Sequence, residues 1–142
     1  MPGSTKHGAR RAFLAVKFHA DHQNKLLIEA ISDLLQDTGW HTTIIVRDFE
    51  DWGAIQFTPH ELMQHSFKSI QQSDVVIIEA SEKGVGVGVE AGYAHAYHIP
   101  LIVIAQTGTK VSSSLLGIAD SVHFYDQIQD LYTVFSSLNH QR

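Results

Sequence analysis

Apolar residues in this chain fall into short solid runs, and between the runs they recur at three- and four-residue steps. Ala12-Phe13-Leu14-Ala15-Val16 is a run of strand length. Beyond it, Leu26, Leu27, Ala30, Ile31, Leu34 and Leu35 repeat as one face of a helix does. Asp21 is the expected cap of that helix and Gly39 its stop signal. Residues 42–46 are β-branched throughout and predict a second strand, whereas residues 47–57, polar and aromatic without a period, predict a loop. Thr58-Pro59-His60-Glu61 carries a helix-start signature, with Thr as cap, Pro at the first helical position and Glu at the capping-box position. That helix should turn Leu62, Met63, Phe67 and Ile70 inward.

Val75-Val76-Ile77-Ile78 is uniformly apolar, as a strand covered on both faces is. A glycine-rich turn over 84–88 leads into a small-residue helix from about 89 to 98. After Pro100, residues 101–105 form another apolar strand, and 121–125 predict a short last one. Asp126 is expected to cap a closing helix with Ile128, Leu131, Val134, Phe135 and Leu138 on one face. This alternation predicts an α/β fold: a doubly wound, Rossmann- or flavodoxin-like sheet of about five mainly parallel strands flanked by helices. One domain over 12–142 follows a polar, basic N-terminal tail, residues 1–11, which is expected to be disordered.

Composition narrows the function. The 142 residues suit one domain of ordinary size. Cysteine is absent, which excludes disulfides, thiolate metal sites and Cys nucleophiles. Ten Lys+Arg against fifteen Asp+Glu give a net charge of -5, so no nucleic acid polymer is expected as partner. The apolar runs fall far short of the ~20 residues of a membrane span, and no hydrophobic core follows the basic tail. The expectation is a cytoplasmic protein without a membrane partner. Among ten histidines, His19/His22 and His95/His98 are three apart and His60/His65 five apart. None belongs to an H-E-x-x-H arrangement, and no metal or other cofactor is expected.

A sheet of this kind opens its ligand crevice beyond the carboxyl ends of the strands. That selects residues 17–24, 47–57, 79–90 and 106–117. In the third segment Gly84, Gly86 and Gly88 alternate with valines ahead of a helix, where free N–H groups suit a phosphate. The spacing is neither the dinucleotide fingerprint nor the P-loop, and a purely structural turn is an equal alternative. Glu90 is either a first-turn carboxylate complementing the helix dipole or a nucleophile or acid/base in the cleft, as carboxylates are in glycosyl transfer. Glu79, ending its strand, is a candidate second carboxylate. Trp52 and Phe57 can stack on a base or anchor their own loop. Arg47 can meet a phosphate or pair with Asp48 or Glu50. Lys83 at the turn can favour an anion or simply be exposed.

Ser73-Asp74-Val75-Val76-Ile77-Ile78-Glu79, followed by Gly86-Val87-Gly88-Val89-Glu90-Ala91-Gly92-Tyr93-Ala94, resembles the nucleoside 2-deoxyribosyltransferase family. It is similar also to that family's branch of 2'-deoxynucleoside 5'-phosphate N-hydrolases. Residues 99–104, the Ser112-Ser113-Ser114-Leu115-Leu116-Gly117 segment and Asp120-Ser121-Val122-His123-Phe124-Tyr125 extend the resemblance. It implies that Glu90 attacks C1' of a (deoxy)nucleoside or nucleoside 5'-monophosphate, and that the glycosyl-enzyme passes to another base or to water. It further implies a homo-oligomer, in which the glycine turn and a neighbouring subunit's Ser112, Ser113 or Ser114 hold a 5'-phosphate. Phe18 falls where the transferases pack an aromatic residue near the base. Three departures stand out. Ser66 occupies the place of an Asp that holds the sugar hydroxyl, Val16 and Lys17 stand where a Gly normally follows the first strand, and residues 47–53 have no assigned counterpart. An alternative implied by the Ser66 departure is a weakly active or inactive nucleotide-binding module on the same fold.

Overall fold

A computed structural model describes residues 10–139. Strand β1 (Arg10–Val16) begins two residues before the expected run, because Arg10 and Arg11 pair with Trp40 and His41 of the neighbouring strand. The rest of the expected tail, residues 1–9, lies outside the described residues. Helix α1 (Lys25–Asp37) starts at Asn24 rather than at Asp21. The Asn24 side chain fastens the preceding loop instead of capping. Its Oδ1 accepts from the His19 N–H at 3.1 Å, and its Nδ2 donates to the Lys17 carbonyl at 2.6 Å. Gly39, at φ 97°, ends the helix in the left-handed conformation that suits glycine.

Strand β2 (Trp40–Thr43) is shorter than its β-branched run. The chain turns at once into a short helix, α2 (Ile45–Asp48), because the Asp48 carboxylate accepts the Ile44 N–H at 2.8 Å and Ile44, Ile45 and Val46 are all buried. Burial has overridden strand propensity here. Helix α3 (Pro59–Gln71) has the expected capping box: Thr58 Oγ1 accepts from the Glu61 N–H at 3.2 Å, and the Glu61 carboxylate accepts from the Thr58 N–H at 3.0 Å. Its buried face is Ser66, Ser69 and Ile70, while Leu62, Met63 and Phe67 are only partly covered.

There follow β3 (Val75–Glu79), α4 (Val85–Ala96), β4 (Leu101–Gln106), α5 (Ser113–Ile118), β5 (Ser121–Tyr125) and α6 (Tyr132–Asn139). Asp126 does not cap the closing helix. The Asp130 carboxylate accepts the N–H groups of Asp126 and Gln127, both at 3.0 Å, and sets a 3₁₀ turn ahead of α6. The five strands are all parallel, in the order β2-β1-β3-β4-β5. One core joins Leu14, Ile77 and Ile104 to Ile28, Ile31, Leu35 and Phe135. The other joins Phe13, Val76, Ile78 and Val103 to Ile70, Ala91 and Ala94. Both faces of β3 and β4 are thus covered, which is why they read as solid apolar runs. The strand order reverses between β1 and β3, so the ligand crevice of such a sheet lies at their carboxyl ends. Among the described residues no helix is long and apolar enough to cross a membrane.

Candidate active site

The glycine segment is shorter as a turn than its composition suggests. Gly84 is the extended residue that opens α4, and Gly86 and Gly88 already lie within the helix. Glu90 is therefore the sixth helical residue, in the second turn, and the dipole-complementing role expected of a first-turn carboxylate does not apply. Instead Glu90 is turned toward α3, where it accepts a hydrogen bond from the buried Ser66 hydroxyl. Burial pushes its carboxyl up to about 7, and the Ser66 hydrogen bond opposes that rise. Ser66 is buried on α3 because α3 packs on α4 at this level.

Glu90, Ser66, Gly86, Phe18 and Glu50 line one cavity of about 210 Å³, walled otherwise by apolar groups from β1, α2 and α3. A Cβ built on Gly86 would meet nothing within 4 Å, so the glycine leaves open space beside Glu90. A neighbouring cavity of about 690 Å³ shares Phe18, Val46 and Glu50 with the first and adds His22, Trp52 and Phe57. Trp52 stands 5.7 Å from Phe18, ring centre to ring centre, and the Lys25 ammonium lies 4.8 Å from the centre of its indole. Asp51 (φ 45°), Trp52 (φ 57°) and Gly53 (φ 98°) are left-handed in succession, a conformation that costs each of the two non-glycine residues about 1 kcal/mol.

A third cavity, of about 580 Å³, lies along the start of α4. Gly84, Gly88, Lys17, Lys83, Lys110, Ser112 and Ser114 line it. Ser112 caps α5 by accepting the Leu115 N–H at 3.3 Å. Ser113 is exposed and does not line this cavity.

Glu79 does not join Glu90. It is buried at the end of β3, with Ser81 N–H at 2.9 Å on one carboxylate oxygen and Ser81 Oγ at 2.7 Å and the Tyr125 hydroxyl at 2.5 Å on the other. Ser81 Oγ also accepts the Gln106 N–H at 2.8 Å, so Glu79 ties together the ends of β3, β4 and β5. Burial first, then the Glu79 hydrogen bond, raises the Tyr125 hydroxyl well above its ordinary range. Arg47 is likewise committed. It donates to Ser32 Oγ (2.6 Å), the Thr42 carbonyl (2.9 Å) and the Asp48 carboxylate (2.8 Å), away from Glu90. Among the described residues no group of three or more His, Asp and Glu gathers as a metal site.

Sequence reasoning missed Glu50. Its carboxyl looks like one more charge in a polar loop, and the only signal was its place two residues before Trp52 in a segment expected to reach the crevice.

Neither a family model nor a curated protein matches the chain. Solved structures do. The chain aligns with a CMP N-glycosidase from Clostridium botulinum over 91% of its length and 99% of that chain, with a TM-score of 0.67 at 18% identity. A 2-deoxyribosyltransferase from Bacillus psychrosaccharolyticus aligns with 86% of this chain and 90% of its own, with a TM-score of 0.69 at 16% identity. One from Leishmania mexicana aligns with 94% and 99%, with a TM-score of 0.66 at 16% identity. The fold is that of the nucleoside 2-deoxyribosyltransferases. In this 2-deoxyribosyltransferase fold, the expected helix-borne carboxylate and the expected aromatic, Glu90 and Phe18, face one cavity, and Trp52 stands in the next. The expected second carboxylate, Glu79, is a brace of the sheet.

Proposed function

We propose that this protein cleaves or transfers the N-glycosidic bond of a (deoxy)nucleoside or nucleoside 5'-monophosphate, with Glu90 as nucleophile. The observation that carries the proposal is the Glu90 carboxyl in a small, largely apolar cavity at the switch point of the sheet, beside Ser66 and the open space over Gly86. Glu90 forms a bond from its oxygen to C1' as the C1'–N bond breaks and the electron pair leaves with the base. A second base or water then attacks C1', and the Glu90 carboxylate is released. The apolar wall keeps bulk solvent from the reacting carbon and strengthens the electrostatic attraction between carboxylate and oxocarbenium-like transition state. Phe18 and Trp52 offer faces on which a base can stack. Lys17, Lys83 and Lys110 with this chain's own Ser112 and Ser114, beside Gly84 and Gly88, suit a 5'-phosphate despite the Glu82 carboxylate in the same lining. A serine from a neighbouring subunit of a homo-oligomer is the further part of this reading.

Ser66 favours a second reading. A neutral serine hydroxyl cannot give a sugar hydroxyl the charge-assisted hydrogen bond that the expected Asp would, which suits a binding module with little turnover. Incubation with a panel of nucleosides, deoxynucleosides and their monophosphates, with free base measured by chromatography, separates the two. The enzyme releases base from at least one member; the module binds without release.

A further inference from the structure

The departing base must gain a proton, and nothing assigned so far supplies it. The cavity around Glu90 has three polar side chains in its lining: Glu50, Ser66 and Glu90 itself. Ser66 is occupied with Glu90, and Glu90 must be ionised to attack. Glu50 remains. Its backbone is held rigidly, its N–H donating to the Ile45 carbonyl at 3.1 Å and its carbonyl accepting from Gly53 and Ile55, each at 2.9 Å. Its carboxyl, in contrast, has no hydrogen bond or ion pair within the described residues. It lies on the wall common to the Glu90 cavity and the aromatic cavity of Trp52 and Phe57. A base stacked on those rings, with its sugar over Glu90, would pass beside it.

We propose that Glu50 is the proton donor to the leaving base, an assignment that rests on the glycosyl-transfer reading above. In the first half-reaction the Glu90 oxygen bonds to C1', the C1'–N bond breaks, and the Glu50 carboxyl gives its proton to a base nitrogen. In the second, the attacking water or incoming base gives a proton to the Glu50 carboxylate as the C1'–O bond to Glu90 breaks. Protons balance over the cycle, and no cofactor is needed. Partial burial raises the Glu50 carboxyl, which keeps more of it protonated than an exposed glutamate would be.

The test compares two leaving groups in wild type and Glu50→Gln. One is a natural base that must be protonated; the other is 4-nitrophenolate on the same deoxyribose, which leaves without a proton. General acid catalysis is worth on the order of 100- to 10,000-fold. Glu50→Gln should therefore lose at least 100-fold in kcat on the natural nucleoside and stay within a few-fold of wild type on the nitrophenyl substrate. The basic limb of the wild-type pH profile for base release should vanish in the variant. Equal loss on both substrates, or no loss on the natural one, overturns the proton-donor role. Thermal melting of the variant identifies a loss that comes from misfolding, and Glu50→Asp, which keeps the carboxyl, should then recover part of the natural-base activity; no recovery also overturns it. Wild type inert toward both substrates overturns the glycosyl-transfer reading itself, which is a different result from either.

Discussion

A carboxyl half-protonated near pH 7 is a thermodynamic burden on the fold, whatever chemistry it performs. Glu90 stands at about 7 in the folded chain against 4.5 for the free side chain, so the native state holds its proton more firmly than the unfolded state does. Stability then falls as pH rises through the interval from 4.5 to 7 and levels off above it. The burden is on the order of 3 kcal/mol. Glu90→Gln, neutral at every pH, should flatten that part of the curve and melt at or above the wild-type temperature at pH 8. Denaturant midpoints of both proteins between pH 4.5 and 8 check this; a variant less stable than wild type at pH 8 contradicts it. Gly86 offers the complementary test. Gly86→Ala should stabilise α4 by about 0.5–1 kcal/mol, because glycine is a poor helix former and the added methyl meets no atom. The same methyl enters the space beside Glu90, so base release should weaken while the melting temperature rises.

At the scale of the elements, the ends of the strands decide what each carboxylate does. Tyr125→Phe removes one of three donors to the buried Glu79 and should cost about 1–3 kcal/mol of stability with base-release kcat within a few-fold of wild type. A large kcat loss with stability intact would return Glu79 to the site. The residues of Glu79 and Glu90 both looked catalytic in the sequence, since both follow the strongest strand. Which one faces the cavity depends on where α4 begins, and three alternating glycines concealed that start by reading as turn through Gly88. The solid strands β3 and β4, the capping box of α3 and the exact extent of β5 were legible because each rests on local chemistry. Asp21, Asp126 and the run 42–46 misled for the converse reason. Their outcome was decided by the side chains of Asn24, Asp130 and Asp48, contacts that a periodicity does not express.

For the whole molecule, the parallel order β2-β1-β3-β4-β5 brings three chain segments to one crevice: β1 with Phe18, the loop of Glu50 and Trp52, and α4 with Glu90. The small residues Ala91 and Ala94 of α4 are fully buried in the chain's own core and are not available to a second subunit. What α4 and its C-terminal cap residue leave outside is Val85, Val89 and Tyr97, at 86%, 45% and 55% exposure, and these are the large apolar side chains for a subunit contact to cover. The homo-oligomer proposed above would pack on this face. Sedimentation at micromolar concentration should give at least a dimer, and Val85→Glu combined with Val89→Glu should shift it toward monomer; a wild-type monomer contradicts the shared-serine arrangement.

The central claim is that Glu90 forms the bond to C1'. Base release by wild type and Glu90→Gln, measured side by side on the substrate the panel identifies, tests it most directly. The expected result is near-complete loss of turnover in a variant that is folded, at least as stable as wild type at pH 8, and still able to bind substrate. Base release near the wild-type rate in Glu90→Gln would contradict the claim, because a neutral amide cannot carry out that attack.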